Sequence, residues 1–268
     1  MFVELPTPSI TYQGYHEEDG YGYDAATGLG FDSKTNDYKV VRVVTVVDVW
    51  RRSDCVSPPK VEVYSLATGE WSMVTTALPG AVHPRDPMPF VNGALHWVAL
   101  RRINYFKYRN FITVLDLGDM VFREITLPIL SDEKDYGNES FIYPFISAYG
   151  NSLALIHGGR GLCLNVWLMK RYADASSWTK IVIFPHVGLL DQAIKDIEDV
   201  GYRFKPSAKA FRKSGEVVVE LDEQPFITQD LETQECKDLP ISAYNYTFVG
   251  SYVKSLVLLD KPNGAATY

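Results

Sequence analysis

Short apolar runs rich in β-branched and aromatic residues recur along the chain, each bounded by Gly, Asn, Asp or Pro. They are YKVVRVVTVVDVW from residue 38, KVEVYSL from 60, ALHWVAL from 94, FITVLDL from 111, SLALIHG from 152, LCLNVWLMK from 162, GEVVVEL from 215 and KSLVLLD from 254. Most are too short for a helix, and their residue types favour the pleated, half-buried surface of a strand. One stretch differs. In VGLLDQAIKDIEDVG (187–201), Leu190, Ile194 and Ile197 fall at spacings of four and three while Asp191, Lys195 and Glu198 can face water, which predicts a short helix near 187–200.

The strand pattern repeats. VEVYSLATGEWSMV (61–74), ITVLDLGDMVFREITLP (112–128) and FITQDLETQECKDLP (226–240) share an alternating strand, a turn rich in Asp, Thr and Gly, and a short second strand. Aligned on that second strand, Trp71, Phe122 and Cys236 fall into register, and NVWLMKRYADASSWTKIVIFP joins them at Trp178, so successive units lie 51, 56 and 58 residues apart. A Gly or Asn turn precedes each unit, at Gly93, Gly150 and Gly215, and reads as a hairpin. About four strands at a period near 50 residues predict an all-β, kelch-like propeller of four-stranded antiparallel blades. GLGFDSKTNDYKVVRVV (28–44) fits as the turn and buried strand of one blade, with Ser33, Thr35, Asn36 and Asp37 as turn formers. Its strand is apolar on both faces, as expected where blades stack face to face.

Composition narrows the function classes. The 268 residues carry a formal net charge of −7, which repels phosphate backbones and anionic membranes, so neither a nucleic acid nor a membrane is an expected partner. Three widely separated cysteines, Cys55, Cys163 and Cys236, form no zinc-ligand pattern and suit a reducing compartment, cytoplasmic or nuclear. Neither a secretory signal nor an 18-residue apolar span is visible, so the triplets at Asn138 and Asn245 read as chance matches to a glycosylation pattern.

Candidate chemistry is sparse. His16, His83, His96, His157 and His186 are scattered, and His96 and His157 read as structural residues in strands. Gly20-Tyr21-Gly22-Tyr23-Asp24-Ala25 matches a dinucleotide fingerprint loosely but follows a polar stretch, so it reads as a flexible loop. HGGRG (157–161) reads as a tight turn, and the acidic runs HEEDG (16–20) and SDEKD (131–135) as solvated loops. No catalytic residue, metal site or cofactor is predicted.

The strongest binding candidate is RRINYFKYRN (101–110), read as a loop between two blade strands. Arg101, Arg102, Tyr105, Phe106, Tyr108 and Arg109 are the residue types that dominate protein-binding hot spots. A strand extension with alternating core aromatics is the competing reading. YQGYHEEDGYGYD (12–24), with Tyr12, Tyr15, Tyr21 and Tyr23, is a second candidate recognition loop, acidic where the first is basic.

Several blocks together carry a family resemblance. GLGFDSKTNDYKVVRVV resembles the signature of the plant F-box-associated domain, and VEVYSLATGEW, FVNGALHWVAL and ITVLDLGDMVFREITLP are similar to its next three blocks in order. FVELP at the start resembles the tail of the family's Asn-Pro-x-Thr block. Across 1–268 the resemblance implies one propeller-like interaction domain that holds a protein substrate for ubiquitination. Its Skp adaptor and cullin partners are reached only through an N-terminal F-box. No F-box pattern precedes FVELP, so the chain resembles a truncated or divergent member with an incomplete first blade. A scaffold without a ligase, or a carbohydrate-active propeller with two converging carboxylates, are the alternatives.

Overall fold

The computed structural model describes residues 5–10, 21–48, 58–82, 88–103, 108–130, 144–158, 164–183, 207–212, 214–220 and 225–242. Within them, every extended sheet strand follows its predecessor in antiparallel order. Blade 1 is β1 (Tyr21–Asp32), β2 (Asp37–Asp48), β3 (Lys60–Ser65) and β4 (Glu70–Met73). Blade 2 is β7 (Ala94–Arg102), β8 (Tyr108–Asp116) and β9 (Val121–Ile125), and its first strand is broken into β5 (Ala81–Val82) and β6 (Phe90–Val91), both paired with β7. Blade 3 is β10 (Phe145–Tyr149), β11 (Ser152–Gly158), β12 (Leu164–Met169) and β13 (Trp178–Ile183). Blade 4 is β14 (Ser207–Phe211), β15 (Val217–Glu220), β16 (Pro225–Gln229) and β17 (Cys236–Ser242). The four sheets form the blades of an all-β propeller. The stretches 187–201 and KSLVLLD lie outside the described residues.

Stacking explains the apolar runs. Val41, Val43, Val61 and Val63 of blade 1 pack with Leu95, Trp97, Phe111 and Leu115 of blade 2. Val98, Ile112 and Val114 on the opposite face of blade 2 meet Ile146, Leu153 and Leu155 of blade 3. Blade 3 then turns Ile156, Leu164 and Val166 to Val217, Val219 and Ile227 of blade 4. Blades 2 and 3 are therefore covered on both sides, and alternation gives way to continuous hydrophobicity.

Two expectations need correction at β1. Residues 21–25 are not a loop, since they lie in β1. Likewise Gly28 and Gly30 belong to β1 rather than to the turn, which is confined to Ser33–Asn36. Close approach is the reason for both glycines. A Cβ at Gly30 would lie 2.4 Å from Leu117 and 2.6 Å from Phe90, so blade 1 can lean on blade 2 only if this position has no side chain.

The repeated turns share one geometry, which fixes the predicted register. Ser65, Asp116 and Asp230 each open a turn closed by the fifth residue, with Gly69, Met120 and Gln234 donating their amides back to the first carbonyl at 2.8, 2.9 and 3.0 Å. All three closing residues lie in the left-handed region, at φ 76°, 54° and 63°. Asp116 and Asp230 accept two backbone amides each at 2.8–3.0 Å, which shapes the turn before the next strand starts. Trp71, Phe122 and Cys236 follow two residues later.

Candidate protein-interaction rim

Antiparallel order sorts the connections onto two rims. First-to-second and third-to-fourth strand turns share one rim, while second-to-third connections and blade-to-blade crossings share the other. The first rim holds the tight turns 33–36, 66–69, 92–93, 117–120 and 150–151. Contacts between its neighbours knit it shut. Lys34 pairs with Asp119 of the next blade, and Asn92 Nδ2 donates to Asn151 O at 3.0 Å.

The family-like signature sits on this tight rim and is structural in its chemistry. Asp32, 2% exposed, accepts from Lys39 Nζ at 2.7 Å, Thr35 Oγ1 at 2.6 Å and Lys34 N at 2.9 Å. Lys39 Nζ also donates to Leu117 O of blade 2 at 3.0 Å, so one lysine ties two blades together. Burial works against ionisation of Asp32, but the hydrogen bonds from Lys39, Thr35 and Lys34 outweigh it and bring the carboxyl down to about 2. Asp37 accepts from Ser65 Oγ at 2.5 Å and Ala67 N at 2.6 Å, coupling the two turns of blade 1.

The opposite rim carries the blade-to-blade crossings, and both candidate recognition stretches reach it. β1 starts there at Tyr21, with Tyr23 two residues in. β7 ends and β8 begins there, and Arg101, Arg102, Tyr108 and Arg109 lie in these strands rather than in a loop. β7 ends at Arg102 and β8 begins at Tyr108. Tyr12, Tyr15, Tyr105 and Phe106 lie outside the described residues, as do the acidic runs 16–20 and 131–135, residues 159–161, Asn138 and Asn245.

Arg101 is committed within the fold. Its Nε and Nη2 donate to Pro79 O at 3.2 and 3.0 Å, it pairs with Glu124 on β9, and its guanidinium lies 4.6 Å from the Phe111 ring centroid. Arg109, its cross-strand neighbour, is exposed. Ile103 and Ile129 are 53% and 88% exposed at the same rim.

Other polar side chains grip segments entering the blades, a role the sequence pattern did not show. Trp71 Nε1 donates to Pro6 O at 2.9 Å, and Trp178 Nε1 to Thr126 O at 3.2 Å. Residue 10 is held more firmly. Buried Glu62 accepts from Ile10 N at 2.9 Å and from Arg42 Nη1 at 2.5 Å, while Arg42 donates to Ile10 O at 3.0 Å.

The histidines in strands are packed between blades. His96 Nδ1 faces Pro89 O at 3.2 Å and Nε2 faces the Tyr172 hydroxyl at 2.8 Å, which places the proton on Nδ1 and makes Nε2 the acceptor. Burial pushes its pKa down to about 4. Trp167 Nε1 donates to His157 Nε2 at 3.4 Å. Asp174 and Asp230 are also shifted downward, by hydrogen bonds within their turns. A general acid needs the reverse shift. Among the described residues no helix is long and apolar enough to cross a membrane, and no cluster of His, Cys, Asp and Glu has metal-binding geometry.

Four stacked antiparallel blades, with the blade-to-blade crossings on one rim, define a β-propeller. Residues 10–259 match the F-box associated beta propeller domain, and the chain belongs to that family. Three similar proteins are from Arabidopsis thaliana. F-box protein CPR1 is 28% identical over 269 residues, covering 95% of this chain and 60% of CPR1. F-box protein At4g22390 is 26% identical, covering 59% of this chain and 40% of the relative. F-box/kelch-repeat protein At3g23880 is 25% identical, covering 61% and 40%. The chain thus spans about 40–60% of the length of these curated relatives.

Proposed function

We propose that this propeller is the substrate-recognition domain of an F-box protein, holding a target protein for ubiquitination by a Skp/cullin/F-box ligase. The reading rests on the family match across residues 10–259. The blades supply a frame and the partner ligase supplies the chemistry, so the domain performs no bond-making step itself. Work of this kind takes place in the cytoplasm or nucleus.

Copurification with a Skp adaptor tests the ligase connection. A form of the chain extended at its N-terminus by an F-box is expected to retain the adaptor, while residues 1–268 alone do not. Failure of both forms to retain it would count against the ligase reading and favour a free-standing scaffold.

A further inference from the structure

The rim of blade 2 carries a charge that the fold leaves unmatched. Arg101 and Arg109 are direct partners across β7 and β8. Like charges placed opposite one another weaken an antiparallel pair. Glu124 neutralises Arg101, whereas Arg109 is exposed and has no carboxylate partner among the described residues. An exposed guanidinium without a counter-charge can take a carboxylate from outside the chain.

Apolar side chains accompany the charge. Ile103 and Ile129, 53% and 88% exposed, leave β7 and follow β9 at the same rim. A forked guanidinium on a rim that also exposes branched side chains suits a ligand that brings a carboxylate and a bulky apolar group together.

We propose that the blade 2 rim binds an acidic segment of a partner protein, with a carboxylate on Arg109 and apolar side chains against Ile103 and Ile129. The inference rests on the receptor reading for its biological context, but its test contains no ligase component, so the two fail separately. A phage-displayed library of random short peptides is panned on the immobilised chain, and a recovered peptide is titrated by fluorescence anisotropy. Recovered sequences are expected to combine Asp or Glu with a bulky apolar residue, and to bind more weakly as salt is raised. Arg109→Glu and Ile129→Asp are each expected to weaken binding at least about tenfold. Thr68→Arg, on the opposite rim, should leave it unchanged. Arg109→Glu faces Arg101 with an opposite charge, so circular dichroism should show the variant as well folded as the parent. The proposal is overturned by no enrichment, by peptides without acidic residues, by binding that survives Arg109→Glu, or by stronger binding to a single-stranded RNA oligonucleotide.

Discussion

Glu62→Ala is expected to destabilise the domain by about 3–5 kcal/mol, a large share of the stability of an ordinary domain. The carboxylate is fully buried and bridges Arg42 to the backbone of Ile10. Without it the Arg42 guanidinium, 15% exposed, loses its counter-charge, and the Ile10 amide loses its acceptor. The double variant Arg42→Met/Glu62→Leu removes both charges together and should be less destabilised than Glu62→Ala alone. It should not recover fully, because neither polar group of Ile10 regains a partner. Urea denaturation of the three proteins measures the coupling. A loss under about 1 kcal/mol for Glu62→Ala would mean that water replaces the lost partners at this site.

Acid is expected to weaken the fold in two stages with different causes. His96 is held neutral by burial, with its pKa down at about 4. Between the ordinary histidine value and about 4, the unfolded chain takes up a proton that the folded chain refuses, so stability falls by about 3 kcal/mol over that window. Below it the imidazole is charged in both states and contributes no further slope. Asp32 then acts, because its folded pKa is about 2. From the ordinary aspartate value down to about 2, the unfolded chain again binds the extra proton, and about 2 kcal/mol more is lost. Denaturant midpoints measured from pH 7 to pH 2 should fall along both segments. His96→Gln should remove most of the upper slope while leaving the lower one. A flat profile between pH 6.5 and 4 would contradict the buried, neutral assignment of His96.

Much of the architecture is legible in the sequence, and the parts that are not share a physical cause. The middle strands of blades 2 and 3 announce themselves because stacked blades cover both of their faces, as with Phe111 and Ile112, or Leu155 and Ile156. First strands are quieter. β1 reads as YGYDAATGLGFD because Gly28 and Gly30 let it approach Met88, Leu95, Phe90 and Leu117, and this removes the β-branched signal. β5 and β6 are each only two residues long and leave too short a pattern to recognise. Turn register was readable because the same backbone geometry recurs at Ser65, Asp116 and Asp230.

For the proposed interaction site, the sequence shows the residue types but not their placement. RRINYFKYRN shows its residue types plainly, yet only strand pairing assigns Arg101 to Glu124 and Pro79 and leaves Arg109 exposed. The Arg42–Glu62 clamp and the Asp32–Lys39 tie escape sequence reading for a similar reason. Their partners, Ile10 and Leu117, lie far away along the chain.

The central claim is a division of labour, with the turn rim holding the blades together and the opposite rim proposed to recognise a partner. Parallel measurement of unfolding free energy and peptide affinity in Asp32→Asn and Arg109→Glu tests it most directly. Asp32→Asn should lose about 2 kcal/mol of stability and keep its affinity, while Arg109→Glu should keep its stability and lose affinity. If Asp32→Asn instead abolished binding in a stably folded protein, or Arg109→Glu unfolded the domain while binding persisted, the division would be contradicted.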